Sequence, residues 1–179
     1  MLNIAIRSGS ISEGTSIVQM LNYAFSEDQG FLFEKRDMNW WKWTCETNPF
    51  GSSLITLAES KDGKIAGVQI SWPFGLVYAG HKLTGYNLIC TSVHPDFRGL
   101  GLQSKLTVYS ARRAIEAKAA VVYGFPNQNS LHGFLKFYYK VYSIKWWIKI
   151  LKPLKLISKN TRKLSGKSID LPETYYISE

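Results

Sequence analysis

Arg98, Gly99 and Gly101 stand in the stretch of this chain whose residue types and spacing point most directly to a chemistry. Residues 92–104 read S-V-H-P-D-F-R-G-L-G-L-Q-S. Glycines let a backbone turn tightly and bare its N–H groups. A helix that starts just after them leaves its first amides unpaired and adds the positive end of its dipole. Gly99, Leu100, Gly101, Leu102, Gln103 and Ser104 would supply the amides, and Arg98 adds a fixed positive charge. Such a turn binds a diphosphate without any special side chain. Two familiar phosphate loops do not fit. No stretch matches G-x4-G-K-[ST]. A dinucleotide fingerprint would need glycine or alanine where Ser104 stands, and a second strand ending in an acid.

The elements around the turn follow from periodicity. Residues 86–93 form an apolar, β-branched run, which predicts a buried strand leading into the turn. Residues 102–118 predict a helix, with Val108, Ala111 and Ile115 three and four apart on one face. Residues 119–125 predict a second buried strand, ended by Pro126, and Asn129 or Ser130 can cap a helix running to about residue 140. Residues 86–125 therefore have the length and order of a strand–helix–strand unit with parallel strands. Upstream, residues 2–7 alternate as a first strand. Ser10 or Ser12 caps an amphipathic helix carrying Ile17, Val18, Leu21, Tyr23 and Phe25. Asp37 opens a helical stretch over 38–46, stopped by Asn48-Pro49. Residues 53–59 and 64–72 form a hairpin about the turn 61–63. Pro73 and Gly75 are expected to interrupt it, with a further short strand over 76–83. The fold class is α/β, or mixed α+β, around one central sheet.

With these residues in view, the chain resembles the GNAT N-acetyltransferases. Their cofactor signature is [QR]-x-x-G-x-[GA] after a strand ending in V-x-P. Here Val93-His94-Pro95 precedes Arg98-Gly99-Leu100-Gly101-Leu102-Gln103, with Gln103 departing from the last position. The likeness extends over most of residues 2–142. It implies a single domain over 1–157, with a polar tail over 158–179. It also implies a mixed sheet with helices on both faces, and two parallel strands that splay to admit the pantetheine arm of acetyl-CoA. The amide near Val93 would polarise the thioester, Asn129 would join the cofactor site, and the Gln103 side chain would point away from the pyrophosphate. The acceptor would be a primary amine of a small molecule. The usual acid is a tyrosine; the family spacing from Asn129 lands on Phe137, and a shift of one makes it Tyr138. The run W-W-K-W-T-C-E-T-N-P-F-G over 40–51 and the turn F-P-N-Q-N-S over 125–130 resemble a subset linked to amino-sugar modification. On that likeness Trp41, Trp43 and Asn127 are candidates for the acceptor pocket, while helix-to-sheet packing is the other reading of the tryptophans.

Other polar residues carry less. His94 is either a base or a solvent-facing turn residue, and His132 reads as surface. Cys90 reads as core, with no partner for a Cys–His nucleophile pair. Cys45 and Cys90 match no metal spacing and read as free thiols in a reducing cytosol, hence a cytoplasmic protein. Residues 1–7 lack a secretory pattern, and no apolar stretch is long enough to span a bilayer. At 179 residues, 45% hydrophobic and 20% charged, the chain is a folded domain and not a disordered one. The net charge of +9 suits nucleic acid, a membrane surface or an anionic ligand. Much of it falls after Lys136; an anionic cofactor explains part of it, and nucleic acid is not the expected partner. Residues 142–157 read either as closing strands or as a membrane-surface helix with Lys145, Lys149 and Lys152 on one face. A second subunit finishing the acceptor site, as a homodimer, is compatible with this tail. Two further readings stay open: a module that holds acyl-CoA without turnover, and a basic membrane- or nucleic-acid-binding protein.

Overall fold

The computed structural model describes residues 3–29, 34–126 and 128–135. Five strands form one sheet in the order β1-β2-β3-β4-β5: Ile4–Ser8, Leu54–Ser60, Ile65–Tyr78, His81–Val93 and Val121–Gly124. The first four are antiparallel neighbours, and β5 runs parallel to β4. Four helices accompany them: α1 (Gly14–Gln29), α2 (Met38–Trp41), α3 (Leu102–Glu116) and α4 (Gln128–Leu135). The mixed sheet carries helices on both faces, as expected.

The two faces have separate cores because strand residues alternate. Ile55 and Leu57 of β2 join Val68 and Ile70 of β3 beneath α1, whose Ile17, Val18, Leu21 and Ala24 recur at helical spacing. Ala58 turns the other way, toward Phe97, Leu102 and Leu106. The entry to α1 is fixed by a reciprocal cap at the preceding turn. Ser12 N donates to Ser10 Oγ at 3.3 Å, and Ser10 N donates to the Glu13 carboxylate at 2.6 Å. Arg7 then bridges Glu13 and Glu59, each at 2.6 Å, which ties the start of α1 to β1 and β2. Its guanidinium holds both carboxyls below the usual range.

Asp37 caps α2 as expected, accepting from Trp40 N at 2.7 Å. The helix then widens into a π turn over Lys42–Glu46, closed by Thr47 N donating to Lys42 O at 3.0 Å. This register turns Trp41 and Cys45 into the core and leaves Trp43 outside.

Three expectations need correction. First, β3 runs through Pro73 and Gly75 without interruption, and residues 76–83 are not one separate strand: 76–78 end β3, 81–83 begin β4, and the hairpin turns at Ala79-Gly80. β2 ends its pairing at Leu54↔Ser71, so the Pro73 nitrogen, which cannot donate, faces an edge where no donor is required. Gly75 lies under the Phe50 ring; a Cβ there would sit 2.4 Å from it. Second, the buried face of α3 is Leu102, Leu106, Thr107, Ser110 and Ala114, whereas Ile115 is 72% exposed. Ser110 Oγ meets Thr56 Oγ1 at 2.9 Å, so small hydroxyl residues form a satisfied seam where apolar ones were sought. Third, β5 is not a buried strand: Val121 and Tyr123 are both exposed. The expected domain boundary at 157/158 and the 142–157 tract lie outside the described residues.

The Trp41 indole lies over Gly14, where a Cβ would come 2.3 Å from its Nε1. That N–H donates to Ile11 O at 3.2 Å. Gly14→Ala must displace a fully buried tryptophan and is expected to cost about 1–3 kcal/mol. The check is a lower urea midpoint with an unchanged slope.

Candidate active site

β4 delivers the chain into the glycine turn. His94 caps the short 3-10 turn Pro95–Phe97, its Nδ1 accepting from Asp96 N at 3.3 Å. Phe97 is buried against Leu102 and Leu106 and pins the turn to the core. Gly99 and Gly101 both take left-handed backbone angles, φ 80° and 67°, and a Cβ at either would meet nothing within 4 Å. The space over the turn is thus open. Gly101 begins α3 with no side-chain cap, and the first bond of the helix runs from Lys105 N to Gly101 O at 3.3 Å. The amides of Leu102, Gln103 and Ser104 therefore lack an acceptor within the helix. Arg98 folds back beneath the turn, its Nε 3.5 Å from Val93 O and its Nη2 3.5 Å from Ala24 O. The Gln103 side chain leaves the turn and donates to Ser130 O of α4 at 3.3 Å.

Beside the turn the sheet opens. β5 pairs with β4 only from Gly85↔Val121 to Leu88↔Gly124, while β4 runs on to Val93. Between those points β4 carries a bulge: Ile89 pairs with Ile70 and Ser92 with Val68, so Cys90 and Thr91 together face Gln69. Cys90 sits at φ 51°, a left-handed conformation that costs a non-glycine residue roughly 1–2 kcal/mol. The extra residue inverts the phase of the strand. Thr84 O accepts from Ala120 N, so even-numbered residues before the bulge face β5. After it, His94 N donates to Ala66 O at 2.9 Å. By alternation, the backbone groups of Thr91 and Val93 face away from β3, toward the gap. A cavity of about 160 Å³ occupies that gap, lined by Leu88, Cys90 and Thr91 of β4, Phe125 and Pro126 after β5, Ser130 and Phe134 of α4, and Phe25 of α1. It suits a narrow chain better than a bulky ring. A wider, shallow groove of about 320 Å³ between β1 and α3 shares only Ser104 with the turn.

The sequence candidates divide. Val93, Arg98, Gly99, Leu100, Gly101, Leu102, Gln103 and Ser104 form one continuous turn at the mouth of the gap. Asn129 falls in the first turn of α4, though its side chain, like that of His132, is outside the described set. Asn127 and Tyr138 also lie outside the described residues. Trp41 does not line an acceptor pocket: it is 0% exposed and its indole N–H is spent on Ile11. Trp43 is 61% exposed, with its ring 5.5 Å from that of Trp72. His94 is not solvent-facing. It is buried between Tyr23 and Phe97, with ring centroids at 5.0 and 5.7 Å. Its Nδ1 lies 3.6 Å from Asp96 Oδ2 but accepts a backbone N–H, so the neutral ring makes no ion pair there. Burial pushes the Cys45 thiol up to about 12 and raises Cys90 as well, so neither is a ready thiolate. Gln69 was missed. The one amide side chain in the mostly apolar run I-A-G-V-Q-I-S-W was its signal.

A split sheet thus lies beside an uncapped helix start. The family model for the acetyltransferase (GNAT) domain matches residues 5–142, and the chain belongs to that family. Similar solved structures include a Trypanosoma brucei acetyltransferase, at TM-score 0.63 and 14% identity, covering 83% of this chain and 100% of that one. Another is glucosamine-6-phosphate N-acetyltransferase from Arabidopsis thaliana, at TM-score 0.62 and 14% identity, covering 82% and 98%. A third is an aminoglycoside acetyltransferase from an uncultured soil metagenomic sample, at TM-score 0.61 and 14% identity, covering 82% and 96%. No curated protein matches the sequence.

Burial, then the Lys64 charge, lowers the His94 pKa from its ordinary 6.5. The unfolded chain therefore binds the proton more readily, and stability rises with pH across this titration. The neutral ring's contribution is complete above 6.5 and is lost as pH falls through the folded value. The urea midpoint of the wild type should drop between about pH 7 and about pH 5.5, and His94→Gln should flatten that slope. The low-lying carboxylates Glu13, Glu59 and Asp96 act in the same sense only at lower pH.

Proposed function

We propose that this protein transfers the acetyl group of acetyl-CoA to a primary amine of a small molecule, with amino sugars the leading class. The observation that carries the reading is the pair of left-handed glycines at an uncapped helix start, opening onto a gap between parallel strands. Acetyl-CoA supplies the activated thioester when bound. Gly99, Leu100, Gly101, Leu102, Gln103 and Ser104 offer their amides to its pyrophosphate, with the positive helix end and Arg98 adding charge. The open space over both glycines fits a group that approaches backbone closely. Cys90, Thr91 and Val93 line the gap, and the Val93 amide donates to the oxygen on which negative charge develops. Asn129 borders the cofactor, and Tyr138 returns a proton to the departing sulfur. The neutral amine attacks directly, so neither cysteine is needed as a nucleophile.

Trp43 supports a ring-shaped, polar acceptor. Its exposed ring is tilted at 43° to that of Trp72, with centroids 5.5 Å apart, and Trp72 Nε1 and Asn87 Oδ1 are buried without a hydrogen-bond partner among the described residues. Trp72 and Asn87 are cross-strand partners, so a donor and an acceptor lie on the same face of the sheet. Asn127 remains an acceptor candidate on the family likeness alone. The glucosamine-6-phosphate and aminoglycoside enzymes share the fold, and at 14% identity they lend the acceptor no more than that. Among the described residues no helix is long and apolar enough to cross a membrane, and both cysteines are free. A cytoplasmic enzyme, acting as a homodimer, is the setting we infer.

Calorimetry with acetyl-CoA tests the cofactor site. Gly101→Glu places a carboxylate over the amides and should weaken binding by on the order of 100-fold, about 2.7 kcal/mol. Thiol release from acetyl-CoA in the presence of a panel of amino sugars then tests transfer. Binding without acceptor-dependent release would leave an acyl-CoA-holding module. A folded wild type that does not bind acetyl-CoA would overturn the reading.

A further inference from the structure

We propose that Gln69 is a positioning residue for acyl transfer: it locks the β4 bulge that aims the Thr91 and Val93 amides into the gap. The inference rests on the acetyltransferase reading above and adds a residue to it. Gln69 is fully buried in the middle of β3, where an aliphatic side chain would pack without any polar demand. Its Nε2 donates to Ile70 O at 2.9 Å and to Ile89 O at 3.0 Å, and its Oε1 accepts from the Thr91 hydroxyl. Two carbonyls at one end and a hydroxyl at the other fix which way the amide points. Ile89 precedes the bulge and Thr91 is its second residue, so one side chain grips the chain on both sides of Cys90, the residue at positive φ.

The grip answers a local deficit. Where two residues face one, the partner strand has a single peptide group for two, and the ladder is interrupted. The Gln69 amide supplies the extra donor and acceptor from the side chain. A fully satisfied buried network of this kind specifies one arrangement over its competitors. The competitor here is a regular strand, and it would turn Val93 toward β3. In that register Ile89, Thr91 and Val93 would all face β3, and the gap would lose the amides that polarise the thioester. Gln69 touches no reacting atom; it acts through Thr91 and the backbone of β4.

The test uses the full chain, acetyl-CoA labelled with carbon-13 at the acetyl carbonyl, and infrared difference spectra. In the wild type the bound carbonyl band should fall below that of free acetyl-CoA. Gln69→Leu and Thr91→Val should return the band toward the free position, with the dissociation constant changed by less than about threefold. Turnover should fall by on the order of 100-fold, the scale of a lost oxyanion donor. Thr91→Ser keeps the hydroxyl and should keep the shift that Thr91→Val loses. A merely structural role would lower the melting temperature and leave the band of the folded, bound fraction in place. The proposal is overturned by a wild-type band at the free position, or by variants that bind with the wild-type shift. It is equally overturned if Thr91→Ser loses as much as Thr91→Val. Should Gln69→Leu fail to fold, the Thr91 pair decides. A wild type that does not bind acetyl-CoA sinks the acetyltransferase reading itself, an outcome distinct from a bound thioester that ignores Gln69.

Discussion

An extended strand offers its backbone groups to alternate sides, and β4 has obligations that a regular strand cannot meet. It must pair with β3 along almost its whole length and with β5 from Gly85 to Leu88. It must then present amides to the gap where β5 has ended. The bulge at Cys90-Thr91 reconciles these demands by moving the later residues one step out of phase. The strain at Cys90 is local, and the Gln69 amide holds it in place. The gap, the direction of the Val93 amide and the entry to the glycine turn all follow from that one extra residue.

The remainder of the fold delivers neighbours to this point. Arg7, Glu13 and Glu59 fix the start of α1, so that Ala24 and Phe25, near its end, arrive beside Arg98 and the cavity. The Ser110–Thr56 seam seats α3 on the sheet, and Phe97 and Leu102 bury the turn from beneath. Its amides are left facing out. Gln103 reaches the backbone of α4 and joins the two helices that flank the gap. These contacts are ordinary packing and hydrogen bonding. Together they hold a set of backbone donors ready before any ligand arrives, which is the condition for electrostatic preorganisation.

The sequence displayed the diphosphate turn and the strand–helix–strand unit plainly, because glycines and a change of hydrophobic period are local signals. It concealed features that depend on distant partners. Pro73 looked like a break because the end of β2, which excuses it, lies elsewhere in the chain. The buried Ser110 face of α3 carried no apolar signal, because its partner Thr56 is 54 residues away. Trp41 and Trp43 are indistinguishable by type; only the π turn decides that one is core and the other faces outward. The bulge had no local signature, since the residue at positive φ is a cysteine and not a glycine.

The proposed chemistry draws on backbone at both ends of the cofactor: amides of the helix start for the pyrophosphate, and amides of β4 for the thioester. Backbone donors do not depend on which side chains surround them, provided the chain keeps its path. That fits a scaffold recognisable at 14% identity in a glucosamine-6-phosphate and an aminoglycoside acetyltransferase. The side chains are then free to vary where the acceptor binds. In this chain the candidate for that surface is the exposed Trp43, whose ring lies 5.5 Å from that of Trp72.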